Sequence, residues 1–315
     1  MFYFVDSFIP NLENLIDFLE STFVAIESLF KSIKMLSENF QIEKEKQFYQ
    51  LHHNERLLVL PNIWNPLGAI LLEDVGYKAV ATASASIALA NGYQDGEKIP
   101  FNDLLLILEK IVKSVAIPVT ADVESGYAKN NTELSENIKK LIDTGITGIN
   151  FEDSKHDEQK LFTKEEQSEK INLIRKIASE MGSALFINAR TDVFLKEKNL
   201  SNEEKMAEAI ERGKAYKAAG ADCFYPIFLK EKESIATIMK EVSLPVNILM
   251  LPGIPDFSTL KEIGLARISL GPGFLKYAIN SMKHVAQKLL NYEGMEDITS
   301  NPVTTDYLNK LISKK

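Results

Sequence analysis

From Leu57 onward, short apolar runs rich in β-branched residues alternate with longer segments in which apolar residues recur every three or four positions. The first pattern is typical of buried strands and the second of amphipathic helices. Eight strands are predicted: Leu57–Pro61, Lys78–Ala83, Val119–Glu124, Gly148–Glu152, Ala184–Ala189, Cys223–Ile227, Val246–Leu251 and Arg267–Leu270. Helices are predicted between them, including Phe101–Val115, Thr132–Thr144, Thr163–Met181, Asn202–Ala219 and Lys230–Val242. Because this alternation gives parallel strands with right-handed crossovers, eight repeats predict an α/β fold, the (β/α)8 TIM-type barrel.

A doubly wound open sheet is the alternative fold, but its Gly-x-Gly-x-x-Gly fingerprint does not follow the first predicted strand. After Gly273 the pattern predicts one or two C-terminal helices, through Leu290 and then Tyr307–Ile312. The sequence therefore favours one closed barrel with C-terminal helices.

The N-terminal residues also show a helical spacing of apolar positions. These positions are Leu12, Leu15, Ile16, Leu19, Phe23, Ile26 and Phe30. We predict an amphipathic helical extension over residues 1–45 and the barrel with its C-terminal helices over residues 46–315. The extension is expected to dock on its own domain or on a partner subunit. Its polar face is not basic, which disfavours a membrane-surface helix, and no apolar run is long enough for a membrane span.

Composition narrows the class of protein. The chain has 315 residues, 45% of them hydrophobic and 25% charged, which is ordinary for a globular protein. Its net charge of −8 argues against a nucleic-acid partner, because nucleic-acid surfaces are normally basic. The lone Cys223 excludes an intramolecular disulfide framework and a cysteine zinc site. A single cysteine is compatible with a reducing compartment, so we expect a cytoplasmic protein.

Carboxylates follow two neighbouring strands. Asp122 and Glu124 stand at the end of the third predicted strand, and their i, i+2 spacing predicts that both side chains share one face. Glu152 ends the fourth strand. The carboxyl ends of barrel strands converge on one mouth, and clustered carboxylates there suit Mg²⁺. The alternative is that these acids only solvate the strand ends.

Other strand ends carry polar groups or small turns. Trp64 follows the first strand, and Ala83 and Ser84 form a small-residue turn after the second, whose backbone N–H groups would accept an anion. Arg190, after the fifth strand, offers a planar fork for a carboxylate or phosphate. An internal salt bridge with a strand-end acid is the alternative role for Arg190.

Together these segments resemble the isocitrate lyase/phosphoenolpyruvate phosphonomutase superfamily, in particular its broad phosphonomutase-like branch. The matching segments are residues 60–65, 76–86, 121–127, 148–153, 187–192, 219–222 and 267–271. The resemblance implies a Mg²⁺-dependent barrel, with Mn²⁺ as a possible substitute, that acts on small 2-oxo or 2-hydroxy acids. It also implies a homo-oligomer, a tetramer or a dimer.

The resemblance also implies roles for individual residues. Asp122 matches the principal metal-binding aspartate, and Glu124, Asp95 and Glu152 match acids that reach the metal directly or through water. The residues that match substrate-contacting positions are Trp64, Ala83, Ser84, Arg190 and Asn247.

The chain departs from the family at the loop after the fourth strand. Residues 154–162 lack the cysteine of the isocitrate lyases and the gating motif of the phosphonomutases. His156 is a candidate acid/base in that loop, with Lys155 and Lys160 as alternative electrostatic partners. A solvated charged loop is the other interpretation. Leu249 replaces a hydroxyl residue, which predicts a more apolar substrate end, and Cys223 is expected to be a buried core thiol.

These observations favour a lyase that cleaves a C–C bond or decarboxylates a small 2-oxo or 2-hydroxy acid through a metal-stabilised enolate, with Arg190, Glu152 and His156 as catalytic candidates. Phosphonomutase or phosphonopyruvate-hydrolase chemistry on a P–C bond is the first alternative. A non-catalytic barrel that binds a partner is the second.

Overall fold

The computed structural model describes residues 19, 22–23, 26, 28–29 and 39–313. Four residues of the predicted N-terminal helix, Leu12, Leu15, Ile16 and Phe30, lie outside the described residues. Leu19, Phe23 and Ile26 are helical and exposed. The chain divides into two units, Met1–Glu43 and Lys44–Lys315, and the barrel belongs to the second.

Within the described residues, eight parallel strands form the barrel. They are β1 (Leu58–Leu60, continuing after Pro61 as Asn62–Ile63), β2 (Val80–Thr82), β3 (Val119–Asp122), β4 (Gly148–Glu152), β5 (Phe186–Thr191), β6 (Cys223–Pro226), β7 (Asn247–Leu249) and β8 (Arg267–Ser269). Strands β1 to β6 pair in chain order, and β8 pairs with both β7 and β1. A bridge between Phe224 and Val246 joins β6 to the start of β7 and closes the ring. The predicted (β/α)8 barrel is confirmed.

One helix precedes the first strand, others connect the successive strands, and the last three follow β8. They are α1 (residues 39–51), α2 (Pro66–Val75), α3 (Ser84–Ala90), α4 (Phe101–Lys113), α5 (Asn131–Asp143), α6 (Lys164–Glu180), α7 (Val193–Lys196), α8 (Asn202–Ala218), α9 (Lys232–Val242), α10 (Phe257–Glu262), α11 (Gly273–Leu290), α12 (Met295–Thr299) and α13 (Thr305–Ser313). The C-terminal part thus forms three helices where the sequence predicts one or two. A short antiparallel hairpin follows β4, with Ser154–Lys155 paired to Lys160–Leu161. No helix of the described residues has the length and apolarity that a membrane crossing needs.

Local signals fix where several helices begin. Helices α6 and α8 each start with a capping box, formed by Thr163 with Glu166 and by Ser201 with Glu204. In each box the hydroxyl accepts from a backbone N–H while the glutamate accepts from the backbone N–H of the capping residue, so two otherwise unpaired donors are satisfied. These caps set the helix ends, and hence the lengths of the loops at the barrel mouth.

The interior of the barrel is polar near its centre. Asn150, Asn247, Arg267 and Ser269 point inward from their strands and are each 5% exposed or less. They form a connected set: Arg267 Nε donates to Ser269 Oγ (3.1 Å), and Asn247 Nδ2 donates to the same oxygen (3.0 Å). Bulky branched side chains usually fill this space in such barrels. Here a hydrogen-bonded layer forms the floor beneath the mouth.

An apolar cluster closes the opposite end of the barrel. Phe48 from α1, Leu60, Phe186 and Cys223 pack together there, each at most 1% exposed. The expectation that Cys223 is a buried core thiol is therefore confirmed. The mouth at the carboxyl ends of the strands remains the open face of the barrel.

Candidate functional site

Asp122 is the last residue of β3 and lies beside the first turn of α3. Its Oδ2 accepts hydrogen bonds from the backbone N–H (3.1 Å) and the hydroxyl (2.8 Å) of Ser84. Its own backbone N–H donates to Thr82 Oγ1 (3.0 Å). Among the described residues, Oδ1 of Asp122 is buried and has no hydrogen-bond partner. A buried carboxylate oxygen left without a donor is a suitable ligand for a cation.

Glu124 does not share a strand face with Asp122, so that prediction is wrong. Strand β3 ends at Asp122, and Glu124 has a left-handed backbone with φ of 51°. The backbone N–H of Glu97 donates to Glu124 Oε2 (2.8 Å), and the Tyr127 hydroxyl donates to Oε1 (3.2 Å). These loop contacts stabilise the strained backbone conformation of Glu124. The direction of its side chain therefore does not follow the alternation of side chains along β3.

Glu97 joins the loop after β2 to the loop after β3, a role that sequence analysis missed. Its Oε1 accepts from the backbone N–H of Ser125 (3.1 Å), the Ser125 hydroxyl (2.8 Å) and the backbone N–H of Tyr127 (2.8 Å). Glu97 therefore donates to Glu124 through its backbone and accepts through its carboxylate from Ser125 and Tyr127, in the same loop as Glu124. No local spacing reports such a contact, because its partners lie on separate loops.

His156 lies inside the site, on the hairpin that follows β4. Its Nε2 is 3.2 Å from Glu152 Oε1 and 3.4 Å from Glu124 Oε2, and its side chain is 18% exposed. A Cβ on Gly96 would lie 3.4 Å from Nδ1 of His156, so the glycine allows the two loops to approach closely. The alternative of a solvated loop does not describe this histidine. Lys155 and Lys160 pair instead with Glu166 and Glu158.

Burial and mutual charge shift the titration of this group of side chains. Burial, followed by the negative charge of Glu152, raises the pKa of Glu124 to about 8. Burial also raises the pKa of Glu152, although the Arg190 charge opposes the shift. Burial alone would lower the pKa of His156, but its contact with Glu152 and the nearby carboxylates reverse that effect and raise it. The group can thus hold a proton near neutral pH, which is what acid–base chemistry requires.

Arg190 is engaged by two carboxylates. Its Nη1 lies 2.7 Å from Glu152 Oε2, and its Nε and Nη2 donate to Asp192 Oδ1 (2.6 Å) and Oδ2 (3.0 Å). The internal salt bridge that the sequence left open is therefore present. The guanidinium is still 16% exposed and lines the mouth, so substrate contact stays a prediction.

The mouth of the barrel contains a cavity with two lobes. The first, the polar lobe, has a volume of about 500 Å³ and is lined by Glu124, Glu152, His156 and Asp192, among others. The second, the apolar lobe, has a volume of about 540 Å³ and is lined by Asp122, Tyr225, Ile227, Phe228 and Leu249, among others. Ser84, Asp95, Arg190 and Leu195 line both lobes. Both volumes are in the range of small-molecule sites.

Some of the predicted substrate-binding residues line the cavity and others do not. Ala83 lines the apolar lobe beside Ser84 and Asp122. Trp64 and Asn247 are not among the residues that line either lobe. Trp64 packs half-buried against the core, and Asn247, which is 0% exposed, lies behind Ser269 and exchanges hydrogen bonds with it. Asn247 would therefore act on a substrate only through Ser269.

Asp153, next to Glu152 in the chain, supports the site from behind. It is fully buried and accepts from Thr191 Oγ1 (2.7 Å), Arg212 Nη1 (3.1 Å) and the Tyr216 hydroxyl (2.8 Å). Asp153 also accepts from the backbone N–H of Asp192 (2.9 Å). This network fixes the end of β5 and hence Arg190.

The donor set fits a metal ion that keeps much of its water. In the described part of the chain, no three His, Cys, Asp or Glu side chains converge closely enough to form a protein cage for a metal. Asp122 Oδ1 provides one unpaired buried oxygen, and Asp95 lies near enough for the Asp122 charge to add to burial in raising its pKa. One direct carboxylate with water-mediated neighbours is how Mg²⁺ is usually bound.

Several known proteins are similar to this chain in sequence and structure. The model of the phosphoenolpyruvate phosphomutase family matches residues 48–290. A crystal structure of a Burkholderia cenocepacia protein, provisionally described as a phosphonomutase, is 36% identical, covers 78% of this chain and 99% of its own, and has a TM-score of 0.74. An uncharacterised protein of Mycobacterium tuberculosis is 27% identical over 79% of this chain and 90% of its own. The 2-methylisocitrate lyase of Halalkalibacterium halodurans is 24% identical over 65% of this chain and 67% of its own.

Proposed function

Because this chain belongs to the phosphoenolpyruvate phosphomutase family, we propose that it is a Mg²⁺-dependent lyase that cleaves a C–C bond in, or decarboxylates, a small 2-oxo or 2-hydroxy carboxylic acid. The superfamily consists of carbon–carbon lyases and mutases that typically depend on a metal ion. The observation that carries the proposal is the pair formed by Asp122 and Ser84, which leaves one buried carboxylate oxygen free at the mouth.

The metal-binding residues would be Asp122 directly and Asp95, Glu124 and Glu152 through water. When bound, Mg²⁺, or Mn²⁺ in its place, would supply Lewis-acid stabilisation of the negative charge that develops on the substrate oxygens. Ser84 holds the Asp122 carboxylate in one orientation through two hydrogen bonds, so the position of its other oxygen, Oδ1, is fixed before any ligand arrives. This preorganisation is what makes charge stabilisation effective.

The remaining candidates orient the substrate or carry its proton. Ala83 and Ser84 would border the substrate carboxylate at the start of α3, where their own backbone N–H groups already donate to Ile63 O (3.3 Å) and Asp122 Oδ2 (3.1 Å). Arg190 would orient the substrate from the junction of the two lobes, where its charge is shared with Glu152 and Asp192. His156, beside Glu152 and Glu124, would hold the proton that the substrate carbon gains or loses.

Phosphorus–carbon bond chemistry is the second candidate, supported by the similarity to the provisionally described phosphonomutase. A phosphonate carries several negative oxygens and needs cationic donors. In this chain the guanidinium of Arg190 is already paired with two carboxylates. This pairing favours the lyase over the phosphonate enzyme. The retained carboxylates and the membership of an enzyme family also disfavour a non-catalytic binding protein.

The experiment that tests the proposal is thermal unfolding with Mg²⁺, with oxalate as an enolate mimic, and with both together. A ligand that binds only the native state raises the melting temperature by mass action. We expect a rise that requires both components and that is lost in Asp122→Ala but kept in Asp143→Ala, a change at an exposed aspartate of α5. An equal rise in Asp122→Ala would refute the site. If the rise is lost in Asp122→Ala as expected, a second experiment tests the chemistry. Exchange of solvent deuterium into the methyl group of pyruvate, followed by NMR, detects enolate formation.

A further inference from the structure

Tyr225 is a tyrosine of the apolar lobe, 3% exposed, whose hydroxyl has no hydrogen-bond partner among the described residues. It lies on β6 in register with Arg190 of β5, so the two side chains point to the same face of the sheet, and both line the lobe. Tyr216 shows how a buried hydroxyl is usually satisfied, since it donates to Asp153 (2.8 Å) and accepts from Arg212 (3.0 Å). The hydroxyl of Tyr225 is left for a ligand in the lobe.

Packing alone does not account for the hydroxyl of Tyr225. The side chain packs with Ile227 and Leu249 in a buried cluster that is separate from the main core. A phenylalanine would fill the same space without burying an unpaired hydroxyl, which carries a desolvation cost. Because the neighbouring side chains are apolar, a hydrogen bond from Tyr225 to a charged ligand group is stronger here than in water. A single donor in an apolar wall is typical of a position that orients a ligand.

The other polar side chains of the lobe already have a partner or a proposed role. Those that hydrogen-bond within the chain are Asn62, Ser84, Asn150 and Ser269. Asp95 and Asp122 belong to the proposed metal end, and Arg190 is paired with two carboxylates. Burial raises the pKa of the Tyr225 hydroxyl, although the Arg190 charge opposes the shift, so the hydroxyl keeps its proton. Tyr225 is therefore the donor that this lobe offers to a ligand oxygen.

The lobe also borders a positive potential at the start of α11. Gly273, the first residue of that helix, lines the lobe, and the N-terminal end of a helix carries a partial positive charge. Lys276, in the first turn, also lines the lobe and has no ion-pair partner among the described residues. A negatively charged oxygen in the lobe is favoured by this potential, whereas an alkyl group there would leave the Tyr225 hydroxyl without a partner.

We infer that Tyr225 is a catalytic residue whose hydroxyl donates to the distal carboxylate of the substrate, the group that takes up the electron pair when the C–C bond breaks. The distal carboxylate is the one at the end of the substrate away from Asp122. The inference rests on the proposed function, since it assumes that the 2-hydroxy acid end binds at Asp122. It deepens that function by selecting C–C cleavage over decarboxylation.

Cleavage increases the negative charge at the distal carboxylate. The proton of the 2-hydroxyl passes to the group formed by Glu124, Glu152 and His156, and the C2–O bond becomes a carbonyl. The electron pair of the C2–C3 bond moves through C3 onto the distal carboxylate. C3 then takes a proton from the same group, so no net proton is consumed, and the products are a 2-oxo acid and a carboxylic acid. A donor aimed at the distal carboxylate stabilises this charge as it develops and lowers the barrier.

Decarboxylation of a 2-oxo acid has the opposite effect on the same group. The carboxylate gives its electron pair to the carbon chain and leaves as neutral CO₂, so the charge beside Tyr225 falls. A donor there stabilises the reactant more than the transition state and slows the reaction. The hydroxyl of Tyr225 is therefore suited to cleavage alone.

Calorimetric titration into the full chain with Mg²⁺ tests the contact. Malate ends in a carboxylate where 2-hydroxy-4-methylpentanoate ends in an isopropyl group of similar shape, and oxalate is the reference for the metal end. For the better enantiomer, we expect Tyr225→Phe to weaken malate binding by about tenfold or more, because a hydrogen bond to a charged group is lost. Binding of oxalate and of the isopropyl acid should not weaken. Tyr292→Phe, at a fully exposed tyrosine, is the matched control and should change none of the three.

Turnover tests the role of Tyr225 in the chemistry. Release of a carbonyl product from malate or 2-methylmalate measures cleavage, and CO₂ released from oxaloacetate above the uncatalysed rate measures decarboxylation. We expect Tyr225→Phe to lower kcat for cleavage by about 100-fold, which is typical for the loss of one donor to a developing charge, and not to lower decarboxylation. Tyr292→Phe should leave both rates unchanged.

The outcomes separate this inference from the proposed function. If oxalate binds with Mg²⁺ but malate does not bind, or binds equally well in Tyr225→Phe, the inference is overturned and the lyase proposal stands. It is also overturned if Tyr225→Phe lowers cleavage and decarboxylation equally, or if the unsubstituted chain decarboxylates oxaloacetate and cleaves neither hydroxy acid. If these probes give neither reaction, the malate titration decides. If neither oxalate nor malate binds with Mg²⁺, both proposals fail together.

Discussion

Ser84 donates both its backbone N–H (3.1 Å) and its hydroxyl (2.8 Å) to the same oxygen of Asp122, Oδ2. The other oxygen, Oδ1, is buried and has no hydrogen-bond partner in the part of the chain that the structure describes. Ser84 therefore orients the Asp122 carboxylate but provides hydrogen-bond donors to only one of its two oxygens. The two oxygens therefore differ: Oδ2 anchors the side chain, and Oδ1 is the one that would bind the metal ion in the proposed function.

Removing the hydroxyl should weaken metal binding while the fold remains intact. Ser84→Ala keeps the backbone N–H bond to Asp122 but loses the 2.8 Å bond. Loss of a group that orients a metal ligand typically lowers metal affinity by about 10- to 100-fold. Titration of Mg²⁺ in the presence of oxalate measures the change. Ser135→Ala, on the exposed surface of α5, is the control, and an unchanged Mg²⁺ affinity in Ser84→Ala would contradict the assigned role.

Glu97 should contribute to stability more than an ordinary surface glutamate. Its carboxylate accepts three hydrogen bonds from Ser125 and Tyr127, and Glu97→Ala would leave two backbone N–H groups without that partner. Loss of such partners costs roughly 1–3 kcal/mol in free energy of unfolding. Urea unfolding measures the loss. Glu109→Ala, at an exposed ion pair of α4, should stay within about 0.5 kcal/mol of the unsubstituted chain.

If Glu97→Ala lowers the free energy of unfolding no more than Glu109→Ala does, water replaces the Glu97 carboxylate as hydrogen-bond acceptor at no cost in stability. If the loss is as expected, oxalate binding should also weaken, because the Glu97 carboxylate no longer holds in place the loop whose backbone N–H donates to Glu124.

The barrel and part of its site were predictable from the sequence, for a physical reason. Strand alternation fixes the topology, and the topology brings Asp122, Glu152 and Arg190 to one mouth although they are distant in the chain. The backbone conformation of a loop residue was not predictable. The face of Glu124 was predicted wrongly because its left-handed backbone is held by Glu97, which belongs to another loop.

Hydrogen bonds between side chains inside the barrel could not be predicted from the sequence either. Asn150 and Arg267 come from strands on different parts of the ring, and their contact of 3.4 Å depends on which residues face inward at the same height. No spacing within one strand carries that information. Side-chain networks that cross the barrel therefore had to come from the structure.

Lys170 should make a contribution to stability that grows with pH in the alkaline range. Its ammonium group lies 3.4 Å from the centre of the Phe162 ring, and burial lowers its pKa from 10.5 to about 8. Between those values Lys170 is protonated in the unfolded chain and not in the folded chain, so its contribution to the free energy of unfolding increases as pH rises from about 8 to about 10.5. Urea unfolding at several pH values measures this slope.

The control for this slope is Lys170→Arg, because an arginine keeps its charge throughout the range. The difference in unfolding free energy between the unsubstituted chain and this variant should shift in favour of the unsubstituted chain as pH rises. A difference that stays flat from pH 8 to 10.5 would show that the ammonium group is solvated in the folded state.

Arg267 should be replaceable by methionine without loss of stability. Its side chain is 0% exposed, and its hydrogen-bond acceptors among the described residues are two uncharged groups, Ser269 Oγ (3.1 Å) and Asn150 Oδ1 (3.4 Å). Its Nη1 is buried and has no partner among those residues, and burial lowers the pKa of the guanidinium. A buried charge without a carboxylate partner carries a desolvation cost that hydrogen bonds to neutral groups offset only in part.

Methionine has a similar volume and no charge, and Ser269 and Asn150 keep Asn247 and Asn188 as donors when Arg267 is replaced. Arg267→Met should therefore leave the free energy of unfolding unchanged or raise it by about 1–4 kcal/mol, whereas Arg267→Ala should lower it by about 2 kcal/mol or more because a cavity remains. Urea unfolding of both variants measures the contrast. A loss of about 3–5 kcal/mol in Arg267→Met would show instead that the charge is compensated within the barrel.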